Sequence, residues 1–143
     1  PISVFGKIMI AKEKIVAFLK TDFPQTKCIV DEVGNRSSTV RHAIGFDELR
    51  PGGTVSGPVL MEVADLALYV AILGELGLVS LAVTTNLSIN FLRKPTADKD
   101  IIGKCSLMKV GKSLVIGEVT LFSSGDEAPV AHVVGTYSIP PVG

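Results

Sequence analysis

The feature that most constrains this chain is a long apolar segment that runs from Ser56 to Leu73. It is typical of a helix that is apolar on almost every side, and such a helix must be buried all round. Ser56 can cap its start by accepting a hydrogen bond from an unpaired amide, and Pro58 suits the first turn, where a missing N–H costs nothing. Gly74 and Gly77 are predicted to close the helix.

Two carboxylates, Glu62 and Asp65, interrupt this apolar surface. Ionised side chains are rarely buried unless they pair with another polar group or take part in function. We therefore expect at least one of the two carboxylates to be functional. Glu62 lies one helical turn before Asp65. The pattern leaves open whether the two carboxylates are neighbours or Glu62 points outward.

Length and charge limit the possible classes of protein. A chain of 143 residues with zero formal charge is expected to form a single domain over residues 1–143 and does not indicate a nucleic-acid binder. The mean hydropathy of +0.46 indicates extensive burial, partly between subunits, so we expect a homo-oligomer. The apolar run is too short and too interrupted for a bilayer, and the N-terminus does not resemble a signal peptide, so we expect a cytoplasmic protein without a membrane partner.

Neither the cysteines nor the histidines of the sequence indicate a metal or redox site. Cys28 and Cys105 stand alone, without a CxxC motif or a nearby set of His ligands, and are predicted to be buried thiols. His42 and His132 lie in strand patterns with apolar neighbours, which is more typical of core or interface histidines than of catalysts. No metal and no separate cofactor is therefore expected.

The remaining elements follow from periodicity and turn residues. Apolar residues at helical spacing predict an amphipathic helix over about residues 5–20, ending near Asp22. A hairpin is predicted before the central helix and four strands after it. The predicted strands are Cys28–Val33, Thr39–Phe46, the alternating segment Leu81–Phe91, Ile101–Val110, Leu114–Ser123 and Ala128–Ile139.

Short turns between the last four strands predict an antiparallel meander with one apolar face to cover. Only the central helix is apolar enough to cover that face. We therefore expect an α+β fold in which a curved antiparallel sheet wraps around one long central helix, with a core over about residues 27–139 and the N-terminal helix packed outside.

Two blocks of sequence resemble the hotdog-fold acyl-CoA thioesterases of the phenylacetic acid degradation type. The first is Gly53 to Pro58 followed by Leu60 and Ala64-Asp65, and the second is Thr84 to Arg93 followed by Pro95. The family has His-Gly-Gly at the helix start, an acid eight residues beyond the first of those glycines, and an x-Ile-x-Phe-Leu-Arg-Pro strand. The resemblance implies a hotdog fold, an acyl-CoA substrate and thioester hydrolysis.

The family pattern assigns catalytic roles to a few residues here. Asp65 matches the family acid, Gly57 matches the oxyanion-hole glycine, and Thr84 matches a hydroxyl that orients the acid or its water. Ser56-Gly57-Pro58 replaces His-Gly-Gly, so Ser56 can stand in for the histidine only if its hydroxyl is not occupied in capping the helix. The alternative for Thr84 is an ordinary threonine on the polar face of a strand.

The chemistry of thioester hydrolysis suits Gly57 and Asp65. The Gly57 amide at a helix N-terminus favours an oxyanion, and Asp65 either attacks the acyl carbon to give an anhydride or activates a water molecule. The two residues are eight positions apart, or roughly 12 Å along a helix, yet both must approach one carbonyl group to about 3 Å. We therefore expect each site to combine Gly57 of one subunit with Asp65 of another, in a dimer or a dimer of dimers.

Further polar residues are candidates for substrate binding. Arg93 and Lys94 could contact the coenzyme A phosphates, although exposed basic residues are often simply solvated. Arg50 and Gly53, in the loop before the helix, could line the pantetheine or acyl entrance. Glu62 is the fifth candidate for this group.

Two other functions remain open on the sequence. A hotdog dehydratase opens its helix with Pro-Gly-Val-Leu-x-x-Glu, to which Gly57 to Glu62 has a passing likeness, with Glu62 as the catalytic acid. Those enzymes also need a His just upstream of the helix, and His42 lies too early in the sequence. The other alternative is a ligand-binding hotdog protein that holds an acyl or aromatic group without turnover.

Overall fold

The structure is a computed structural model that describes residues 2–4 and 7–141. Its helices and strands follow one another as the periodicity predicts, with additional short strands near the N-terminus and before the central helix. A short 3-10 helix, Phe46–Glu48, precedes β5. The other elements are β1 (Ile2–Val4), β2 (Lys7–Met9), α1 (Lys12–Asp22), β3 (Ile29–Gly34), β4 (Ser37–His42), β5 (Leu49–Arg50), β6 (Thr54–Val55), α2 (Gly57–Leu76), β7 (Val83–Phe91), β8 (Ile101–Val110), β9 (Leu114–Ser123) and β10 (Ala131–Ser138).

The main sheet has six antiparallel strands in the order β3-β4-β8-β9-β10-β7. Helix α2 contacts all six strands, so the predicted sheet around one central helix is confirmed. The predicted meander holds for β8, β9 and β10, but it is wrong for β7, which pairs with β10 instead of β8. The segment 92–100 is longer than a hairpin turn, so the chain can cross the sheet before β8 pairs with β4.

Helix α2 begins and ends as its sequence predicts, with one difference. The Ser56 hydroxyl caps the helix by accepting a hydrogen bond from the Val59 amide at 3.4 Å. Gly77, with φ of 101°, ends it. Gly74 lies inside the helix, where a Cβ would meet Val33 Cγ1 at 2.7 Å, so this glycine allows close approach to β3 and does not close the helix.

Burial of α2 is nearly complete from Val63 to Gly74, and the exposed side chains lie in its first turns and at its last residue, Leu76. Met61 and Glu62 are exposed and Asp65 is half-buried. Glu62 and Asp65 therefore lie near the N-terminal end of the helix, whereas its third carboxylate, Glu75, lies near the C-terminal end. None of the described helices has the length and apolar character needed to span a membrane.

The N-terminal helix is shorter than predicted. It begins at Lys12, while residues 7–9 pair with β1 in a small hairpin, and Phe5 lies outside the described residues. The Ile10 amide donates to the Gly74 carbonyl at 3.2 Å, which ties the extended chain to the end of α2 before the helix starts. Helical spacing alone does not reveal that pairing. The predicted end near Asp22 is confirmed.

The predicted hairpin before α2 is confirmed as β3 and β4, although both strands begin and end at residues other than those predicted. Its turn includes Arg36, whose φ of 52° is left-handed, and β4 stops at His42. Phe46, which the alternation assigned to this strand, lies in the 3-10 helix and is 90% exposed. The predicted loop before α2 contains the two short strands β5 and β6, joined by a turn with positive φ at Gly52 and Gly53.

Close packing of α2 on the sheet depends on glycine in the strands. At Gly135 in β10, a Cβ would lie 2.5 Å from Leu68 Cδ1 and 2.9 Å from Leu87 Cδ1. Val63 and Leu68 make similar approaches to Gly103 and Gly117. These three positions bring the central strands against the helix.

We predict that Gly135→Ala lowers the free energy of unfolding by about 1–3 kcal/mol, the usual cost of overpacking a core. Urea denaturation measures this change. Gly45→Ala is the matched control, because its Cβ would meet only Glu48 Oε1, at 3.5 Å, and φ at Gly45 is −139°. Equal stability of the two variants would contradict the packing argument.

Candidate active site

Asp65 accepts two side-chain hydrogen bonds on one oxygen. Thr84 Oγ1 donates to Asp65 Oδ1 at 2.5 Å, and Tyr137 Oη donates to the same oxygen at 2.8 Å. The Tyr137 hydroxyl also lies 3.0 Å from the Asp65 carbonyl oxygen. The carboxylate is therefore held by hydroxyls from two neighbouring strands, β7 and β10.

The predicted contact between Thr84 and Asp65 is present, but the alternation of side chains along the strand would not place Thr84 there. Alternation through Leu81–Phe91 assigns Thr85, and not Thr84, to the side of Leu87 and Ile89. A bulge in β7 changes the register: Thr136 pairs with Asn86, whereas Tyr137 pairs with Thr84. Bulges re-aim side chains in this way, and here the bulge directs Thr84 toward the helix.

Tyr137 is the functional candidate that the sequence analysis missed. It is 3% exposed and follows the inward positions Ala131, Val133 and Gly135 on β10. Burial raises the pKa of its hydroxyl, and the negative charge of Asp65 raises it further. The available signal was a tyrosine on the apolar side of a strand, because a buried tyrosine hydroxyl needs a hydrogen-bond partner.

A cavity of about 420 Å³ lies beside Asp65. Aromatic rings contribute much of its wall: Tyr69 stacks on Tyr137 with centroids 6.2 Å apart, and Phe23 packs edge-on against Tyr69 at 6.5 Å. Leu81, at its border, is 72% exposed. The space beside the carboxylate therefore combines an aromatic wall with polar groups, among them Asp22, Ser80 and Thr84.

A second cavity, of about 590 Å³, lies at the N-terminus of α2. It brings together Gly57 and the basic candidates Arg50, Arg93 and Lys94, which are distant in sequence. The ring of Phe91 lies against Gly57, where a Cβ would meet Phe91 Cζ at 3.3 Å. As the first helical residue, Gly57 carries an N–H without an intrahelical acceptor.

The other two candidates near the helix start have structural contacts. The Ser56 hydroxyl oxygen accepts the capping hydrogen bond, which leaves its hydrogen and one lone pair to offer a substrate. Gly53 forms part of the β5–β6 turn, where its amide donates to the Arg50 carbonyl at 3.1 Å. The glycine thus shapes the loop that carries Arg50 to the second cavity.

Glu62 does not form a pair of neighbouring carboxylates with Asp65. It is exposed, and its Oε2 lies 3.7 Å from Nε2 of the buried His42. His42 also contacts the carbonyl oxygen of Ala43 through Nδ1 at 2.6 Å. The fold therefore brings His42 to the first turns of α2, although the sequence separation suggested that it lay too far away.

The remaining polar candidates lie apart from these cavities. Both cysteines are buried, as predicted, and burial raises the pKa of each thiol to about 12. His132 contacts Glu118 at 3.1 Å on the sheet. Within the described ranges, no group of three or more His, Cys, Asp or Glu side chains could hold a metal ion.

Gly57 and Asp65 border different cavities of one chain. Both lie on the continuous helix α2, so their eight-position separation corresponds to roughly 12 Å of rise. Among the described residues, strand β7, which carries Thr84, pairs with β10 alone, and Val83 and Phe91 at its ends are 56% and 57% exposed. A single chain thus leaves the two candidate catalytic groups apart and one edge of β7 open.

Comparisons with known proteins agree with this architecture. The model of the Thioesterase superfamily matches residues 52–130, which include α2 and the strands β7, β8 and β9 of the main sheet. A crystal structure from Silicibacter sp. TM1040, described as a candidate thioesterase, is 42% identical over 96% of this chain and 97% of its own, with a TM-score of 0.87. No curated protein matches the chain.

Two more distant structures share the fold. The E. coli PaaI protein from the phenylacetic acid degradation operon is 19% identical, covers 88% of this chain and 90% of its own, and has a TM-score of 0.71. Zebrafish thioesterase superfamily member 2 is 15% identical over 92% of this chain and 99% of its own, with a TM-score of 0.80. At such identity the likeness concerns the fold alone. Together with the family match and the Silicibacter structure, it identifies the chain as a member of the thioesterase superfamily with the hotdog fold.

Proposed function

We propose that this protein hydrolyses acyl-CoA thioesters to a free acid and coenzyme A. The observation that carries the proposal is the Asp65 carboxylate, held by two hydroxyls beside a cavity with an aromatic wall, on the central helix of a thioesterase fold. In one route, Asp65 attacks the acyl carbon, forming an anhydride as the thiolate leaves, and water then hydrolyses the anhydride to the free acid and the carboxylate. In the other route, Asp65 takes a proton from the water that attacks the acyl carbon, and the leaving thiolate receives a proton in turn. Both routes need donors for the carbonyl oxygen.

The Gly57 amide is proposed to supply such a donor from a second subunit. An unpaired N–H at a helix N-terminus points toward developing negative charge, and the helix dipole favours it. The open edge at β7 and the separation of Gly57 from Asp65 within one chain support a dimer as the smallest active unit. Ser56 is proposed to assist through its hydroxyl hydrogen.

The residues that line the two cavities suggest which part of the substrate each cavity binds. The aromatic wall formed by Phe23, Tyr69 and Tyr137 suits a short-chain or aromatic acyl group. The cavity with Arg50, Arg93 and Lys94 suits the phosphates of coenzyme A, with Gly53 shaping its entrance. Coenzyme A belongs to the substrate, and the absence of a cofactor and the cytoplasmic location stay predictions.

We predict that the purified protein releases thiol from short-chain or aromatic acyl-CoA esters and that Asp65→Asn lowers kcat/KM at least about a hundredfold. A thiol-release assay over a panel of acyl groups measures this effect. Asp98→Asn makes the same chemical change at an exposed loop position and should retain full activity. Wild-type activity in Asp65→Asn would overturn the role of Asp65, and acyl-CoA binding without any thiol release would favour the non-catalytic ligand-binding alternative.

Subunit mixing tests the shared site. Gly57→Pro removes the N–H at a first-turn position that tolerates proline, whereas Gly57→Ala keeps the N–H and controls for contact with Phe91. We predict that Gly57→Pro and Asp65→Asn are each inactive alone, and that refolding them together restores roughly a quarter of wild-type activity, since half of the dimers then contain one intact site. No recovery, despite mixed dimers by mass spectrometry, would mean that each site lies within one chain.

The contact between His42 and Glu62 favours a second candidate function, the hydration or dehydration of an acyl thioester. If that reaction takes place, Glu62→Ala abolishes hydration of an enoyl-CoA while Asp65→Ala retains it. We expect the reverse pattern for thiol release, and a hydration rate at background level in the wild type. Parallel assays of the two variants by enoyl absorbance and thiol detection distinguish these functions.

A further inference from the structure

We propose that Tyr137 is a positioning residue for Asp65: its hydroxyl and that of Thr84 occupy Oδ1, which leaves Oδ2 as the oxygen that meets the substrate or its water. The inference rests on the proposed function, because it concerns how the catalytic carboxylate is held. It adds a residue that neither the sequence motif nor the family match indicates.

The hydrogen bonds distinguish the two oxygens of Asp65. Oδ1 accepts from Thr84 at 2.5 Å and from Tyr137 at 2.8 Å. Among the described residues, none donates a hydrogen bond to Oδ2. A carboxylate oxygen has two lone pairs in its plane, so two donors fill Oδ1 and fix the rotation of the carboxylate. The lone pairs of Oδ2 then have a defined direction.

Tyr137 is suited to act as a permanent donor. Its hydroxyl stays protonated because burial and the charge of Asp65 both raise its pKa. The ring is 3% exposed and stacks on Tyr69 with an interplanar angle of 21°, which restricts its movement. Its second contact, with the Asp65 carbonyl oxygen at 3.0 Å, ties the hydroxyl to the helix backbone as well as to the side chain.

The hydroxyls of Thr84 and Tyr137 are the side-chain groups that stabilise the negative charge of Asp65, as the other groups around the carboxylate show. The other titratable groups near it are Asp22 at the end of α1 and Tyr69 on α2, which line the same cavity, and Glu62 one turn earlier on α2. No Lys, Arg or His lines that cavity within the described residues. Hydroxyl donors from β7 and β10 therefore supply the side-chain stabilisation that this chain gives to the ionised carboxylate.

Removal of one donor should free the Asp65 carboxylate to rotate, because a single donor does not fill both lone pairs of Oδ1. Tyr137→Phe keeps the ring and its packing and deletes only the hydroxyl. In crystal structures, we expect the Asp65 carboxylate to hold one orientation in the wild type and to rotate or adopt two orientations in Tyr137→Phe. Thr84→Val should have the same effect, and the double variant should have a larger one.

Tyr69→Phe is the matched control for this comparison. It deletes a hydroxyl from the ring that stacks on Tyr137, but that hydroxyl donates to the Ser80 carbonyl at 3.2 Å and not to Asp65. Its Asp65 carboxylate should keep the wild-type orientation. A wild-type orientation of Asp65 in Tyr137→Phe as well would overturn the inference.

Kinetics separate this inference from the proposed function. For an acyl-CoA ester that the wild type hydrolyses, Tyr137→Phe should lower kcat about tenfold with little change in KM. If Asp65→Asn is inactive but Tyr137→Phe keeps the wild-type kcat, the positioning role is wrong and the proposed function stands. If Asp65→Asn is fully active, the proposed function is overturned, whatever orientation Asp65 has in Tyr137→Phe.

Discussion

Burial of the apolar helix α2 against the six-stranded sheet is the constraint on which the rest of the structure depends. Twelve of its residues are buried, so the sheet must approach the helix closely along most of its length. Glycines at 103, 117 and 135 permit that approach, because a Cβ at each would meet an α2 side chain at less than 3 Å. Any polar group on the buried part of the helix must then find its partners on the strands.

Asp65 is the polar group for which this constraint matters most. The strands that cover its side of the helix are β7 and β10, and they supply the hydroxyls of Thr84 and Tyr137. The same packing that buries the helix therefore orients a carboxylate beside an aromatic cavity. Gly57 lies two turns away at the other cavity, so in the proposed hydrolysis the donor to the carbonyl oxygen comes from the N-terminus of another α2. The packing of α2 on the sheet thus both stabilises the fold and positions the carboxylate for the proposed chemistry.

The sequence predicted the features that depend on local chemistry. Apolar periodicity, Ser56 and Gly77 located α2, and alternation between turn residues located β8 and β9 at their observed ends. Features that depend on long-range pairing were missed: β7 lies beside β10, residues 7–9 form a strand, and His42 reaches Glu62. The contact of Thr84 with Asp65 came from family resemblance, because the bulge that creates it breaks the alternation, and Tyr137 had no motif to mark it. The roles of the site residues stay predictions.

The central claim is that one thioester carbonyl group lies between Asp65 of one subunit and the Gly57 amide of another. A crystal structure with an acyl-CoA analogue whose thioester sulfur is replaced by a methylene group would test it most directly. The account predicts that the ketone oxygen lies about 3 Å from the partner's Gly57 nitrogen, with Asp65 Oδ2 facing the ketone carbon. A ketone bound away from Asp65, or one contacted by Gly57 and Asp65 of the same chain, would contradict it.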